Sequence, residues 1–207
     1  MNKVRTAFLL IFYVITGCAQ QTDKNEKQVG GNCESCDLMF EGMPTTLSWQ
    51  TSLTDANEPG EPMIISGTIF KRDGKTPAPN VVLYVYQTNS KGLYSKASGQ
   101  TQAVRHGHIR GWMKTDDQGR YEFRTIRPVA YPNSKIPQHI HPIIREQGLS
   151  LYWIDDFVFE DDPLLTSSEI SKLENRSGSG IIKLTKNSQG VWVGARDIIL
   201  GKNIPNY

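Results

Sequence analysis

At 207 residues, with 38% hydrophobic content and 11 prolines, the chain is long enough to bury one core of ordinary size. Its formal net charge is only +2 and no basic run stands out, which excludes the electrostatic footprint of a nucleic-acid binder.

The first element is a targeting segment. Lys3 and Arg5 precede Ala7 to Ile15, an apolar run too short to span a bilayer as a mature helix. The run ends in Ile15-Thr16-Gly17-Cys18, which resembles a bacterial lipobox, where the cysteine is lipidated and becomes the mature N-terminus. A plain secretory signal with a chance cysteine is the alternative. The expected organisation is a signal peptide over 1–17, a polar tether over 18–31 anchored to a membrane through a lipid on Cys18, and a domain over 32–207. Behaving as a coil, the tether reaches roughly 20 Å. The expected location is extracytoplasmic, at an outer membrane or a periplasmic face. Cys33-Glu34-Ser35-Cys36 then reads as a small disulfide staple, the default for neighbouring cysteines outside the cytoplasm. Zinc would need a second C-x-x-C, and a redox pair would call for a βαβ context; neither is present.

From about Glu58 the pattern is all-β. Met63 to Phe70 predicts a strand, with a turn at Arg72-Asp73-Gly74-Lys75. Val81 to Gln87 predicts a second, with a turn at Asn89-Ser90-Lys91-Gly92. Thr115-Asp116-Asp117-Gln118-Gly119 turns into Arg120 to Ile126, which alternates at period two. Leu149 to Phe159 is β-rich, and Leu164 to Glu174 is the one helix candidate, with Thr166, Ser167 or Ser168 as its cap. Gly178 to Leu184 and Gly190 to Leu200 are expected to pair across the turn at Asn187-Ser188-Gln189-Gly190. Short strands at this spacing imply a β-sandwich of mostly antiparallel strands.

Chemistry concentrates in Pro137-Gln138-His139-Ile140-His141, with Tyr131 just upstream. In a strand, residues two apart face one side, so both imidazoles meet on one face within reach of a phenol, a set suited to a transition metal. Spacing alone favours a pair of ordinary strand histidines. Gly67-Thr68-Ile69-Phe70, Gly92-Leu93-Tyr94-Ser95, Arg110-Gly111, the run from Thr115 to Pro128, Tyr131-Pro132 and His139-Ile140-His141 change that balance. In this order they resemble the intradiol ring-cleavage dioxygenases, most of all the protocatechuate branch, over about residues 60 to 165.

The resemblance implies a non-haem Fe(III) site with Tyr94, Tyr131, His139 and His141 as ligands. Tyr131 would be the axial tyrosinate that leaves when substrate binds, opposite His141, with Tyr94 and His139 equatorial. It implies O2-dependent cleavage of a vicinal diphenol between its two hydroxyl-bearing carbons, giving a cis,cis-muconate. Charge supports this ligand set, because Fe(III) with two phenolates and one hydroxide sums to zero. A catecholate dianion replacing hydroxide and Tyr131 leaves the sum at zero, which avoids a net charge in a low-dielectric pocket. One departure is Ile136, three residues before His139, where the family usually has an arginine; Lys135, Arg105 and Arg110 are the candidate substitutes. Another is the short stretch from Tyr131 to His139.

The early strands and the Thr-Asp-x-x-Gly-x-Tyr-x-Phe pattern also occur in transthyretin-like modules, so a non-enzymatic β-sandwich lipoprotein is the rival reading. His106-Gly107-His108 reads as a polar loop pair, or else as part of a four-histidine metal site. Tyr84, Tyr86, Trp112 and Trp153 read as core or pocket wall.

Overall fold

A computed structural model describes residues 26–207. The signal segment, Cys18 and most of the tether lie outside the described residues. Among those described, no helix is long and apolar enough to cross a membrane.

Two six-stranded sheets face each other, as the pattern of short alternating strands predicts. The first sheet holds β1 (Gln50–Ser52), β2 (Pro62–Phe70), β5 (Arg120–Ile126), β10 (Thr185–Lys186), β11 (Trp192–Ala195) and β12 (Ile198–Ile199). The second holds β3 (Val82–Gln87), β4 (Arg110–Lys114), β6 (His139–Arg145), β7 (Tyr152–Trp153), β8 (Phe157–Phe159) and β9 (Ile181–Ile182). Along β2 and β5 the apolar residues alternate inward. Met63, Ile65, Ile69, Tyr121 and Phe123 are buried and meet Leu83, Val85, Ile140, Ile144 and Phe157 of the other sheet. Phe123 and Phe157 pack edge to face across the middle at 5.9 Å.

The second sheet is buried on both sides. Tyr84 and Ile143, on its outer face, pack beneath a cap formed by Cys36, Met39 and Phe40. Cys33 and Cys36 are disulfide-bonded, as expected. The N-terminal segment is tied into the fold well before that staple. Val29 is buried in the core, and the buried Arg176 donates to the Gly30 carbonyl at 2.8 Å. Residues 26–31, expected as the end of a free tether, therefore belong to the folded domain.

Two other expectations change. The 178–184 segment does not pair with 190–200; the hairpin across the turn is confined to β10, just after the first segment, and β11, at Thr185↔Val193 and Lys186↔Trp192. On either side they part: β9 joins β8 in parallel and β12 joins β2 in parallel, so the C-terminal strands stitch both sheets together. The expected helix shrinks to α1 (Ser167–Ile170), with the Thr166 hydroxyl accepting from Glu169 N as its cap. A segment this short, without a buried face, has too little packing to propagate further.

The close approach of β2 to the C-terminal strands needs a glycine. A Cβ at Gly67 would lie 1.9 Å from the Arg196 carbonyl oxygen, which already accepts from the Tyr121 hydroxyl at 2.6 Å. Gly67→Ala should therefore cost at least about 1–3 kcal/mol, the usual penalty for overpacking. Urea unfolding should show a lower midpoint with an unchanged slope.

Candidate metal centre

Strand β6 begins with the H-x-H pair, and its extended geometry puts both rings on one face. His139 Nε2 and His141 Nε2 lie 3.0 Å apart. Ile140 between them is fully buried in the opposite direction, which pins the register. The strand is anchored at its start, where Gln138 N donates to Asp162 Oδ2 at 2.6 Å and Arg127 Nε donates to Gln138 Oε1 at 2.8 Å.

The two tyrosines arrive on loops. Tyr94 lies in the connection from β3 to β4, and Tyr131 in the connection from β5 to β6. Their hydroxyls are 2.8 Å apart, and Tyr131 Oη lies 3.1 Å from His139 Nε2 and 3.4 Å from His141 Nε2. All four residues named from the sequence thus converge. Gly92 makes the loops meet: it takes φ +72°, and a Cβ there would stand 2.2 Å from the Ala130 carbonyl oxygen. Thr88 Oγ1 also donates to Val129 O at 2.7 Å, tying the same two loops.

The far side of each imidazole is already occupied. His139 Nδ1 lies 2.6 Å from the Pro137 carbonyl oxygen, which can only accept, so Nδ1 carries the proton. His141 Nδ1 is 2.9 Å from Asp156 Oδ1, which sets the same tautomer. In the neutral rings, then, both Nε2 atoms present lone pairs to each other at 3.0 Å. The Tyr131 hydroxyl can donate to one of them only, and Tyr94 can donate to Tyr131. One lone pair is left facing another, an arrangement that a cation relieves. The residues present therefore fit a transition metal: two imidazole nitrogens and two phenols around one point. Burial pushes the His139 imidazole below its ordinary pKa, keeping it neutral, and pushes both the Tyr94 and Tyr131 phenols up. Without a cation both tyrosines hold their protons; with a trivalent one beside them, ionisation becomes favourable.

Asp156 was not singled out in the sequence. His139, His141 and Asp156 each offer a donor atom within 4.8 Å of the others. The carboxylate oxygen is engaged by His141 Nδ1, however, so its geometry is that of an orienting partner behind a ligand. Burial pushes its carboxyl up, but the imidazoles of His141 and His139 and the Arg196 guanidinium outweigh this and hold it below the usual range. Asp156 stands in the break between β7 and β8, within the run expected to be β-rich. Buried Arg196 clamps that break by donating to Asp155 O at 2.6 Å.

The second histidine pair stays out of the cluster. His108 Nε2 lies 2.9 Å from Glu58 Oε2, and its Nδ1 lies 3.0 Å from Ser95 O. His106 is buried rather than in a solvated loop. Its Nδ1 is 3.0 Å from the Tyr84 hydroxyl, and its ring stacks on Tyr86 at 3.8 Å. Tyr86 in turn stacks on His141 at 4.7 Å, backing that imidazole with an aromatic column. Of the candidate arginine substitutes, Arg105 pairs with Glu34 at 3.1 Å and Arg110 donates to Glu41 O at 3.0 Å. Neither lines the cleft of about 480 Å³ beside His139 and His141, nor does Lys135, whereas Ile136 does.

A family model described as Dioxygenase matches residues 43–191, which is most of the chain. The chain belongs to the intradiol ring-cleavage dioxygenase family. It is 32% identical to the catechol 1,2-dioxygenase of Acinetobacter baylyi (strain ATCC 33305 / BD413 / ADP1) over 130 residues, which covers 54% of this chain and 40% of that one. It is also 32% identical to the protocatechuate 3,4-dioxygenase beta chain of Burkholderia cepacia over 118 residues, covering 54% and 50%. The chain thus spans half or less of the length of these curated relatives. Among solved structures of the intradiol fold, it resembles the dioxygenase domain of a dioxygenase carbohydrate-binding protein fusion from Streptomyces sp. SirexAA-E. There the TM-score is 0.58 and the identity 23%, with 76% of this chain and 91% of that one covered. Hydroxyquinol 1,2-dioxygenase from Pseudomonas putida DLL-E4 gives a TM-score of 0.56 at 22% identity, covering 87% and 68%.

Two outcomes test this geometry. Asp156→Asn removes the charge behind His141 and should weaken metal retention about 10- to 100-fold in a chelator competition. Burial pushes His106 down to about 4 from its ordinary 6.5. The unfolded chain therefore takes up this proton first as pH falls, and stability is lost between 6.5 and 4, by up to about 3 kcal/mol. His106→Phe keeps the stack but removes that titration. Its unfolding free energy should fall less than that of the unaltered chain between pH 7 and pH 5.

Proposed function

We propose that this chain is a non-haem Fe(III) intradiol dioxygenase. It takes a catechol-type vicinal diphenol and O2, cuts the bond between the two hydroxyl-bearing carbons, and yields a cis,cis-muconate. The observation that carries the reading is the convergence of Tyr94, Tyr131, His139 and His141: Tyr131 Oη and the two Nε2 atoms lie 3.0 to 3.4 Å from one another, and Tyr94 Oη lies 2.8 Å from Tyr131 Oη. The names of the relatives, catechol 1,2-dioxygenase and protocatechuate 3,4-dioxygenase beta chain, support it.

Ferric iron, when bound, supplies the Lewis acidity that keeps the phenols ionised and activates the diphenol toward O2. The chain's own residues do the rest. His139 and His141 would hold the ion through Nε2, each ring being oriented by its Nδ1 bond. Tyr94 is the retained phenolate, on a loop kept in place by Gly92 and by Gly107, whose Cβ position lies 3.2 Å from Tyr94 Cα. Tyr131 is the catalytic phenolate, and its Oη accepts one of the two diphenol protons as substrate enters. No carboxylate base is required at this point, which leaves Asp156 to its bond with His141.

The same reading extends to the N-terminus, with Cys18 as a lipid anchor holding the domain outside the cytoplasm. Cys18→Ser should release the protein from the membrane fraction or block its processing, and unchanged partitioning and mass would remove that part of the proposal. For the centre itself, protein loaded with Fe(II) anaerobically and reoxidised should be coloured by tyrosinate-to-iron charge transfer. Tyr94→Phe should shift or abolish the band, whereas Tyr84→Phe, in the stack behind His106, should not. A protein that stays colourless after loading overturns the iron assignment.

A further inference from the structure

The cleft beside His139 and His141 is larger than a bare dihydroxybenzene requires. Its volume of about 480 Å³ falls among sites that enclose drug-sized ligands, about 300–1,000 Å³. Its floor and sides are largely apolar, with Ile136, Ile143, Trp153, Leu165 and Leu173 among the residues that line it. Ile136 is 48% exposed and turns that surface into the cleft. Charge on the lining is predominantly negative. Glu34, Glu169 and Glu174 are at its edge, and Lys172 is the only lysine or arginine among the described residues that line it. The Lys172 ammonium is already held 2.6 Å from Glu169 Oε1.

Both walls are built rather than loose. On one side, Trp153 Nε1 donates to Asn32 O at 3.2 Å, fixing the segment that carries the Cys33–Cys36 disulfide. On the other, Leu164 N donates to Asp162 Oδ1 at 2.9 Å, and Asn203 Nδ2 donates to Glu174 O at 3.0 Å, bracketing the turn that carries Leu165 and Leu173. A preformed apolar trough therefore runs outward from His139 and His141, with carboxylates and no unengaged cation among the described residues that line it.

We propose that this trough selects vicinal diphenols bearing a bulky, uncharged, aryl-sized arm and discriminates against those bearing a carboxylate, with Ile136 as a specificity-determining residue. The ring hydroxyls face His139 and His141 while the arm lies against Ile136, Trp153 and Leu173. An apolar arm gains by leaving water. A carboxylate forgoes that gain and finds no free cation among the described lining residues, where Glu34, Glu169 and Glu174 are themselves paired with Arg105, Lys172 and Arg176.

The substrate assignment rests on the dioxygenase reading, but the trough can be tested without it. In metal-stripped full-length chain, 4-phenylphenol, which cannot chelate, should bind at least about tenfold more tightly than phenol, followed by quenching of tryptophan fluorescence. In iron-loaded chain, kcat/KM for 4-phenylcatechol should exceed that for 3,4-dihydroxybenzoate by at least about tenfold. Ile136→Arg, at an exposed position that folding tolerates, should narrow or invert that ratio. Equal binding of the two phenols by the stripped chain, or a preference of the loaded chain for the carboxylate, overturns the proposal. If the loaded chain cleaves no diphenol while the stripped chain keeps its preference for 4-phenylphenol, the trough stands and the dioxygenase reading falls.

Discussion

Two imidazole Nε2 atoms held 3.0 Å apart are the constraint on which this site depends. The approach persists because each ring is gripped from behind. The Pro137 carbonyl takes one Nδ1 proton and Asp156 takes the other. The grips come from different parts of the fold. Pro137 immediately precedes β6, whereas Asp156 stands in the gap between β7 and β8, whose backbone is clamped by Arg196 from the opposite sheet. Arg196 in turn sits where Gly67 lets the C-terminal strand approach β2. The grips on the two rings are thus distributed over both sheets, and a cation placed between the nitrogens would bind a prearranged set.

Beside the Asp156 carboxylate, the support behind His141 is aromatic. Tyr86 stacks on His141 on one side and on His106 on the other, and His106 is joined to Tyr84, which packs on Trp112 at 5.2 Å. Because His106 is buried and stays neutral, this column adds no charge next to the metal position. It fixes ring planes by contact area and one hydrogen bond, leaving the electrostatics to Asp156 and the two tyrosines.

The chain also uses its N-terminal segment unusually. Residues 26–40 fold back over the second sheet, place the Cys33–Cys36 disulfide on a cleft wall, and cap Tyr84 and Ile143. The opposite wall is the turn around α1. These short local pieces build a half-open cleft. The character of that cleft follows from what is missing at one position: an isoleucine at 136 leaves its inner edge apolar, and the cations near it are already engaged.

Much of this was readable in the order of residues. Period-two alternation set β2 and β5 nearly to the residue, because each strand buries one face and a slip of one would expose Ile65 or Phe123. The H-x-H spacing determined that two imidazoles share a side wherever a strand forms, and a family-like order of motifs picked out Tyr94 and Tyr131. Neither tyrosine could be placed by local rules, since 37 residues separate them and they meet only because Gly92 allows two loops to touch. Asp156 carries no local signal at all: an Asp-Asp pair reads as a solvated bend until a break in strand pairing turns one carboxylate toward His141. His106 was misjudged for the same reason, since a Gly-flanked histidine has no periodicity, and only the packing of β3 against the neighbouring loop buries it. The C-terminal hairpin was overextended because adjacent strands pair by default, while the competing partners β8 and β2 are more than 20 residues and more than 100 residues away in sequence. Sequence alone determined the sandwich and the four side chains that cluster; tertiary structure decided which carboxylate orients His141 and what lines the cleft, because those contacts join segments that nothing local connects.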